Sequence, residues 1–84
     1  MTNFEKAVKI IAEEYREDCE EYDCTIKELF KTWQFDSEDM KEEFWSILNE
    51  KFDGEFTDDC EIIENNGEVK TFRQLAMAVK RYKL

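Results

Sequence analysis

Apolar residues recur at helical spacing from the start of the chain. Phe4, Ala7, Val8, Ile11, Tyr15, Cys19 and Tyr22 fall on one stripe, and Glu13, Glu17, Glu20 and Glu21 fall opposite it. Thr2 and Glu5 stand in the Thr-x-x-Glu relation, in which a hydroxyl and a carboxylate satisfy each other's orphan amide donors. The pattern predicts a helix from about residue 3 to about residue 21. Ile10 lies off the stripe, so it packs against another element or stays exposed.

Thr25 and Glu28 repeat the capping relation. Ile26, Leu29, Phe30 and Trp33 follow at i, i+3, i+4 and i+7, which predicts a short second helix. Gln34-Phe35-Asp36 reads as a tight connection. Asp36 or Ser37 then caps a third helix, with Glu38 and Asp39 in the first turn, where the helix dipole favours anions. Its buried face is Met40, Phe44, Ile47, Leu48 and Phe52, with Trp45 at the edge.

The period changes after Gly54. Cys60 to Glu64 and Glu68 to Phe72 flank Asn65-Asn66-Gly67, and Asn-Gly accepts positive φ at both central positions of a tight turn. A hairpin over about 60–72 is expected. Thr71 and Gln74 form a third capping pair before a last helix with Phe72, Leu75, Ala76, Val79 and Tyr82 on its stripe. The expected fold class is α+β and helix-dominated, with three helices, a β-hairpin and a C-terminal helix in one small domain, 1–84.

The order of the first five elements resembles a winged-helix layout over about residues 3–72. In that family the second and third helices form a helix-turn-helix and the hairpin is the wing. The resemblance implies a recognition helix carrying Asp36, Glu38, Asp39, Glu42 and Glu43 against one Lys41, whereas phosphate contact needs Lys and Arg. On this scaffold DNA would not be the ligand.

Composition narrows the chemistry. Histidine is absent, so no imidazole base or Ser-His or Cys-His pair exists. Two glycines make no phosphate loop. Three cysteines, Cys19, Cys24 and Cys60, without a CxxC, suit free thiols in a reducing cytoplasm better than a disulfide framework or a zinc site. With no apolar run of membrane-spanning length and no signal-peptide layout, the expectation is a cytoplasmic protein that is not an enzyme and uses no cofactor.

The segment NEKFDGEFTDDC (49–60) raises the question of calcium. Gly54 would be the sixth residue of an EF-hand loop, placing Asp53 at position 5 and Glu55 at position 7. Position 3 is then Lys51, a cation where an oxygen is needed. Position 12, the bidentate glutamate, is Cys60. The segment reads instead as a glycine turn between two elements.

Charge is the informative property. Residues 1–65 hold twenty-one acids and seven bases, net −14, while 66–84 hold one acid and five bases, net +4. Acids four apart on a helix lie roughly 6 Å apart along the axis, a spacing of the same order as successive phosphates. The candidate binding residues are Glu13, Glu14, Glu17, Asp18, Glu20 and Glu21 on the first helix, and Asp36, Glu38, Asp39, Glu42 and Glu43 at the start of the third. Trp45, Phe35, Phe56 and Tyr22 are candidate aromatic anchors. In size and in its runs EEYREDCEEYD (13–23), DSEDMKEE (36–43) and DGEFTDDCEIIE (53–64), the chain resembles the small acidic inhibitors of phages and mobile elements, among them anti-CRISPR and anti-restriction proteins. The resemblance implies a protein of the bacterial host cytoplasm that binds a basic, nucleic-acid-handling effector (a CRISPR or restriction nuclease) and blocks its nucleic-acid site by charge mimicry. Such a protein binds neither nucleic acid directly nor membrane. Three alternatives stand beside it. The acids could serve only solubility. They could form the face of an adaptor or regulator that binds a basic protein surface without mimicry. Or the basic C-terminal residues Lys70, Arg73, Lys80, Arg81 and Lys83 could do the binding.

Calcium tests the reading of residues 49–60. Millimolar calcium should leave the melting temperature within about 2 °C, apart from weak screening of the acids. A saturable site in the micromolar range by calorimetry would overturn it.

Overall fold

A computed structural model describes residues 1–32 and 37–84. The fold is helix-dominated α+β: five α-helices and a small three-stranded antiparallel sheet among the described residues. The helices are α1 (Asn3–Glu14), α2 (Arg16–Tyr22), α3 (Ile26–Leu29), α4 (Glu38–Lys51) and α5 (Phe72–Lys80), and a 3-10 turn, Phe30–Thr32, continues α3. The strands are β1 (Glu55–Phe56), β2 (Ile62–Ile63) and β3 (Val69–Lys70), paired in chain order.

The helix starts follow the capping chemistry. Thr2, Thr25 and Thr71 each accept from the backbone amide three residues on, and Glu5, Glu28 and Gln74 reach back to the cap amides. Ser37 caps α4 by accepting from Met40 N at 3.3 Å. The other candidate cap, Asp36, lies outside the described residues, as do Trp33, Gln34 and Phe35.

The single long first helix expected over 3–21 is broken. The Tyr15 amide bonds to Ala12 O three residues back, at 3.1 Å, and α2 starts afresh at Arg16. No glycine or proline sits there. Packing accounts for the break: the Tyr15 ring is buried edge-on against Phe30, at 5.2 Å, and beside Phe44. The break changes the phase of the stripe, so Cys19 stays buried while Tyr22 turns outward, 66 % exposed. Ile10 packs partly buried against the core.

Residues 55–70 form a meander: the expected hairpin is β2–β3, and β1 adds a third strand to it. Its two loops are built alike. Glu64 N donates to Glu68 O and Gly67 N to Glu64 O, closing a three-residue loop with Gly67 at φ 88°. Thr57 N donates to Glu61 O and Cys60 N to Thr57 O, with Cys60 at φ 60°. The expected two-residue turn with positive φ at both Asn66 and Gly67 is therefore corrected: only Gly67 is left-handed, as in a three-residue hairpin loop. In the other loop a cysteine takes the glycine's place. A left-handed L-residue costs about 1–2 kcal/mol, and here the buried Cys60 side chain offsets it by filling the core and donating its thiol to Lys41 O at 3.3 Å.

The segment read as a possible calcium loop divides between elements. Asn49 and Lys51 belong to the last turn of α4, and Phe52 closes that helix. Gly54 is there for space: a Cβ on it would come within 2.4 Å of the Phe52 ring.

One core unites the elements. Ala7, Val8, Ile11 and Ala12 of α1 meet Met40, Phe44 and Leu48 of α4, Leu75, Ala76 and Val79 of α5, and Ile62 of β2. Glu64, past the end of β2, fastens the sheet to α1. Its carboxylate accepts from the Asn3 and Phe4 amides at 3.0 and 2.7 Å, and Asn3 Nδ2 donates to Ile63 O at 2.9 Å. With Thr2 taking the Glu5 amide at 3.1 Å and Glu5 taking the Thr2 amide at 3.0 Å, all four of the helix's orphan donors have side-chain acceptors.

Replacing Glu64 by Ala strips two half-buried donors of their acceptor and should lower the unfolding free energy by about 2 kcal/mol. Glu64→Gln, which keeps an oxygen, should lose less. Urea denaturation reads both, and a loss below roughly 0.5 kcal/mol for the alanine variant would show that the clamp is incidental.

Candidate acidic interface

The outer arc of α4 is exposed from end to end: Glu38, Asp39, Glu42, Glu43, Trp45, Ser46, Asn49 and Glu50 all face solvent. At 3.6 residues per turn, Glu38, Glu42 and Trp45 make one row, and Asp39, Glu43, Ser46 and Glu50 the next. The two rows lead to different neighbours.

The first row borders a shallow notch. Trp45, 36 % exposed, lies in it beside Glu38, Lys41 and Glu42, and Asp58 and Asp59 close the other wall from the β1–β2 loop. Lys41 Nζ stands 3.4 Å from Glu38 and 3.7 Å from Asp59. Burial pushes its ammonium downward, but the two carboxylates outweigh that and hold it above the ordinary lysine value. One base thus faces four acids, and the notch stays negative around an aromatic surface.

The second row leads to α1 and α2. The buried Tyr15 phenol is pushed well above its usual range, chiefly by burial and then by Glu43, Asp18 and Glu14. The acids that act on it come from three helices, α1, α2 and α4. The ion pair of Glu14 with Lys51 joins the acids of α1 to the fourth helix.

The candidate residues divide in how they are engaged. Glu13 pairs with Arg16 at 3.7 Å, Glu14 with Lys51 and Glu38 with Lys41. Glu17, Asp18, Glu20, Glu21, Asp39, Glu42 and Glu43 are exposed, with no ion pair among the described residues. Asp36 lies outside the described residues. The break at Tyr15 interrupts the regular rows: of Glu13-Glu17-Glu21 and Glu14-Asp18, only Glu17 and Glu21 share one helix.

Of the aromatic candidates, Trp45 and Tyr22 are exposed. Phe56 packs against Phe52, ring centroids 6.0 Å apart, and belongs to the edge of the core rather than to a binding face. Phe35 lies outside the described residues. Asp58 and Asp59 were not singled out by sequence, because nothing local says that a loop thirteen residues beyond Trp45 returns to it. Among the basic candidates Lys70 pairs with Glu68 at 2.8 Å and lies over the Phe4 ring.

The perturbed phenol and thiols make a prediction about alkaline stability. Burial pushes the Cys60 thiol up to about 11, with Lys41 opposing and Asp59 adding to it, and Tyr15 is raised as well. Folding keeps protons that the unfolded chain releases. Both contributions are complete below the unfolded values, about 8.5 for a thiol and about 10 for a phenol, and are lost as pH rises beyond them. Stability should fall with pH above about 9 and more steeply above about 10. In urea titrations Tyr15→Phe should flatten the upper part of that fall, and an unchanged slope would sink the assignment.

Set beside known proteins, the chain matches no family model, no curated protein and no solved structure.

Proposed function

We propose that the protein is a small acidic inhibitor. It occupies the nucleic-acid site of a basic, nucleic-acid-handling effector, a nuclease of the CRISPR or restriction type, and excludes the nucleic acid by charge mimicry. The observation that carries the reading is the continuity of the acidic surface. Asp58 and Asp59, then Glu38 and Glu42 beside Trp45, then Asp39 and Glu43 on the next row follow one another across a loop and α4, and Glu14 joins them from α1 through its pair with Lys51. Mutually repelling charges on adjacent elements oppose folding. A basic groove would relieve that repulsion and gain long-range attraction during encounter.

Trp45 supplies what the acids lack. Charge alone binds any basic surface weakly and is screened by salt. A half-exposed indole at the centre of the negative notch can enter a pocket on the partner and fix the register. The winged-helix element order belongs to the same reading, with α3 and α4 as the helix pair and β2–β3 as the wing. Acids on α4 turn such a scaffold from binding nucleic acid to resembling it. Of the effector classes, a nuclease fits because its groove is a preformed basic channel of matching charge.

The test is competition. The tagged protein is used to retrieve its partner from bacterial lysate, and the purified partner is then titrated with duplex DNA or RNA in the protein's presence. Excess nucleic acid should displace the protein. Glu42→Lys with Glu43→Lys should weaken binding at least tenfold, about 1.4 kcal/mol. Trp45→Ala should weaken it comparably with little change in salt dependence. A partner that holds protein and nucleic acid together, each at unchanged affinity, would make the protein an adaptor on a basic surface instead.

A further inference from the structure

Cys19 and Cys24 meet where α2 gives way to α3. Asp23 closes α2 in the left-handed conformation, φ 50° and ψ 52°. The Cys24 amide then donates to Cys19 O at 3.0 Å, and the Asp23 amide to Glu20 O at 3.4 Å. This pair of bonds reverses the chain at a helix end. It commonly sets the residue beyond the turn against the helical residue five positions before it in an apolar contact. Here both of those residues are cysteines.

The backbone bond limits their separation. From Cys19 Cα through its carbonyl oxygen, the hydrogen bond and the Cys24 amide to Cys24 Cα, the path cannot exceed about 7 Å, even fully straightened. Disulfides span Cα separations of about 4.4–6.8 Å. Both residues line one open cleft with Arg16, Tyr82 and Leu84, Cys19 buried and Cys24 half-buried. Cys60 does not line this cleft, and its thiol donates to Lys41 O.

We propose that Cys19 and Cys24 form a reversible intramolecular disulfide, made by exchange with a low-molecular-weight disulfide that enters the cleft. The Cys24 thiolate attacks one sulfur of the small disulfide. A mixed disulfide forms, and one small thiolate leaves. Cys19 gives its proton to solvent, attacks Cys24 Sγ and expels the second small thiolate. Two protein thiols are thereby oxidised by two electrons, and one small disulfide is reduced to two thiols, which take up the two protons.

Exposure gives the two sulfurs different roles. Cys24 faces the cleft and attacks first. Cys19 lies behind it and resolves. Its thiol is held above the ordinary value by burial first, then by Cys24, Asp18 and Glu28, which suits the second step rather than the first.

The full chain is incubated with oxidised glutathione, quenched in acid and analysed by intact mass and peptide mapping. The expected product has lost two hydrogens, links Cys19 to Cys24 and keeps Cys60 free. Cys19→Ser should stop at a glutathione adduct on Cys24, and Cys24→Ser should stay reduced over the same exposure. The bond should also need at least tenfold more dithiothreitol to reduce in the folded chain than in urea, because the turn holds the two residues together. The proposal is overturned if the wild-type chain accumulates an adduct without an internal bond, if the bond runs to Cys60, or if folding makes the bond no harder to reduce. These readouts on the wild-type chain decide the matter even if a serine variant misfolds.

Discussion

Helix α1 presses its apolar stripe against α4, α5 and β2 at once, and the other elements take their places from it. Ala7 and Ala12 let neighbouring backbones come close, while Val8 and Ile11 fill the space between. Burying a side chain of that size stabilises by about 1.5–3 kcal/mol, more than an exposed ion pair offers, at about 0–1 kcal/mol. The helix itself is only twelve residues long, a length that is marginal in water without partners. Its start is secured from two directions, by its own capping box and by the carboxylate of Glu64. What keeps so acidic a chain folded is thus a small apolar contact set and one well-satisfied helix terminus, against the repulsion of its surface.

The sequence is legible where structure is decided locally. The caps at Thr2, Thr25 and Thr71 read directly, because each is a four-residue chemistry. The buried faces of α4 and α5 read equally well, because both helices are regular. Three things did not read. The break at Tyr15 comes from ring packing against Phe30 and Phe44, which are distant in sequence. Strand β1, Glu55–Phe56, has two residues and no alternation to detect. The left-handed Cys60 carries no turn signature, since its side chain is chosen by the core.

The candidate interface divides in the same way. Acid runs on α2 and α4 are visible as composition, and exposure follows from their helical phase. Their spatial joining is not visible, because Glu14 meets Lys51, and Glu38 and Glu42 meet Asp58 and Asp59, only after the elements pack. Trp45 could be placed at an edge, but not beside Asp58 and Asp59. Phe56 reads as an available aromatic, but it packs at the edge of the core against Phe52, for whose ring Gly54 leaves room.

The connectivity of the sheet has a consequence for chain entropy. Each strand pairs with its sequence neighbour, so both pairings in the meander close across a three-residue loop. The Glu64 clamp closes across a sequence separation of 61 residues. By the logarithmic dependence of closure entropy on length, the long closure costs roughly 2–3 kcal/mol more than a short one. The packing of α1 on α5 closes a loop of similar length, so clamp and core share one long closure while the meander keeps its own short loops. Losing the clamp alone would free only the first turn of α1, because the apolar stripe behind it still holds the helix to α4 and α5. The end of the chain can therefore loosen without the domain coming apart, and a single carboxylate stands across that step.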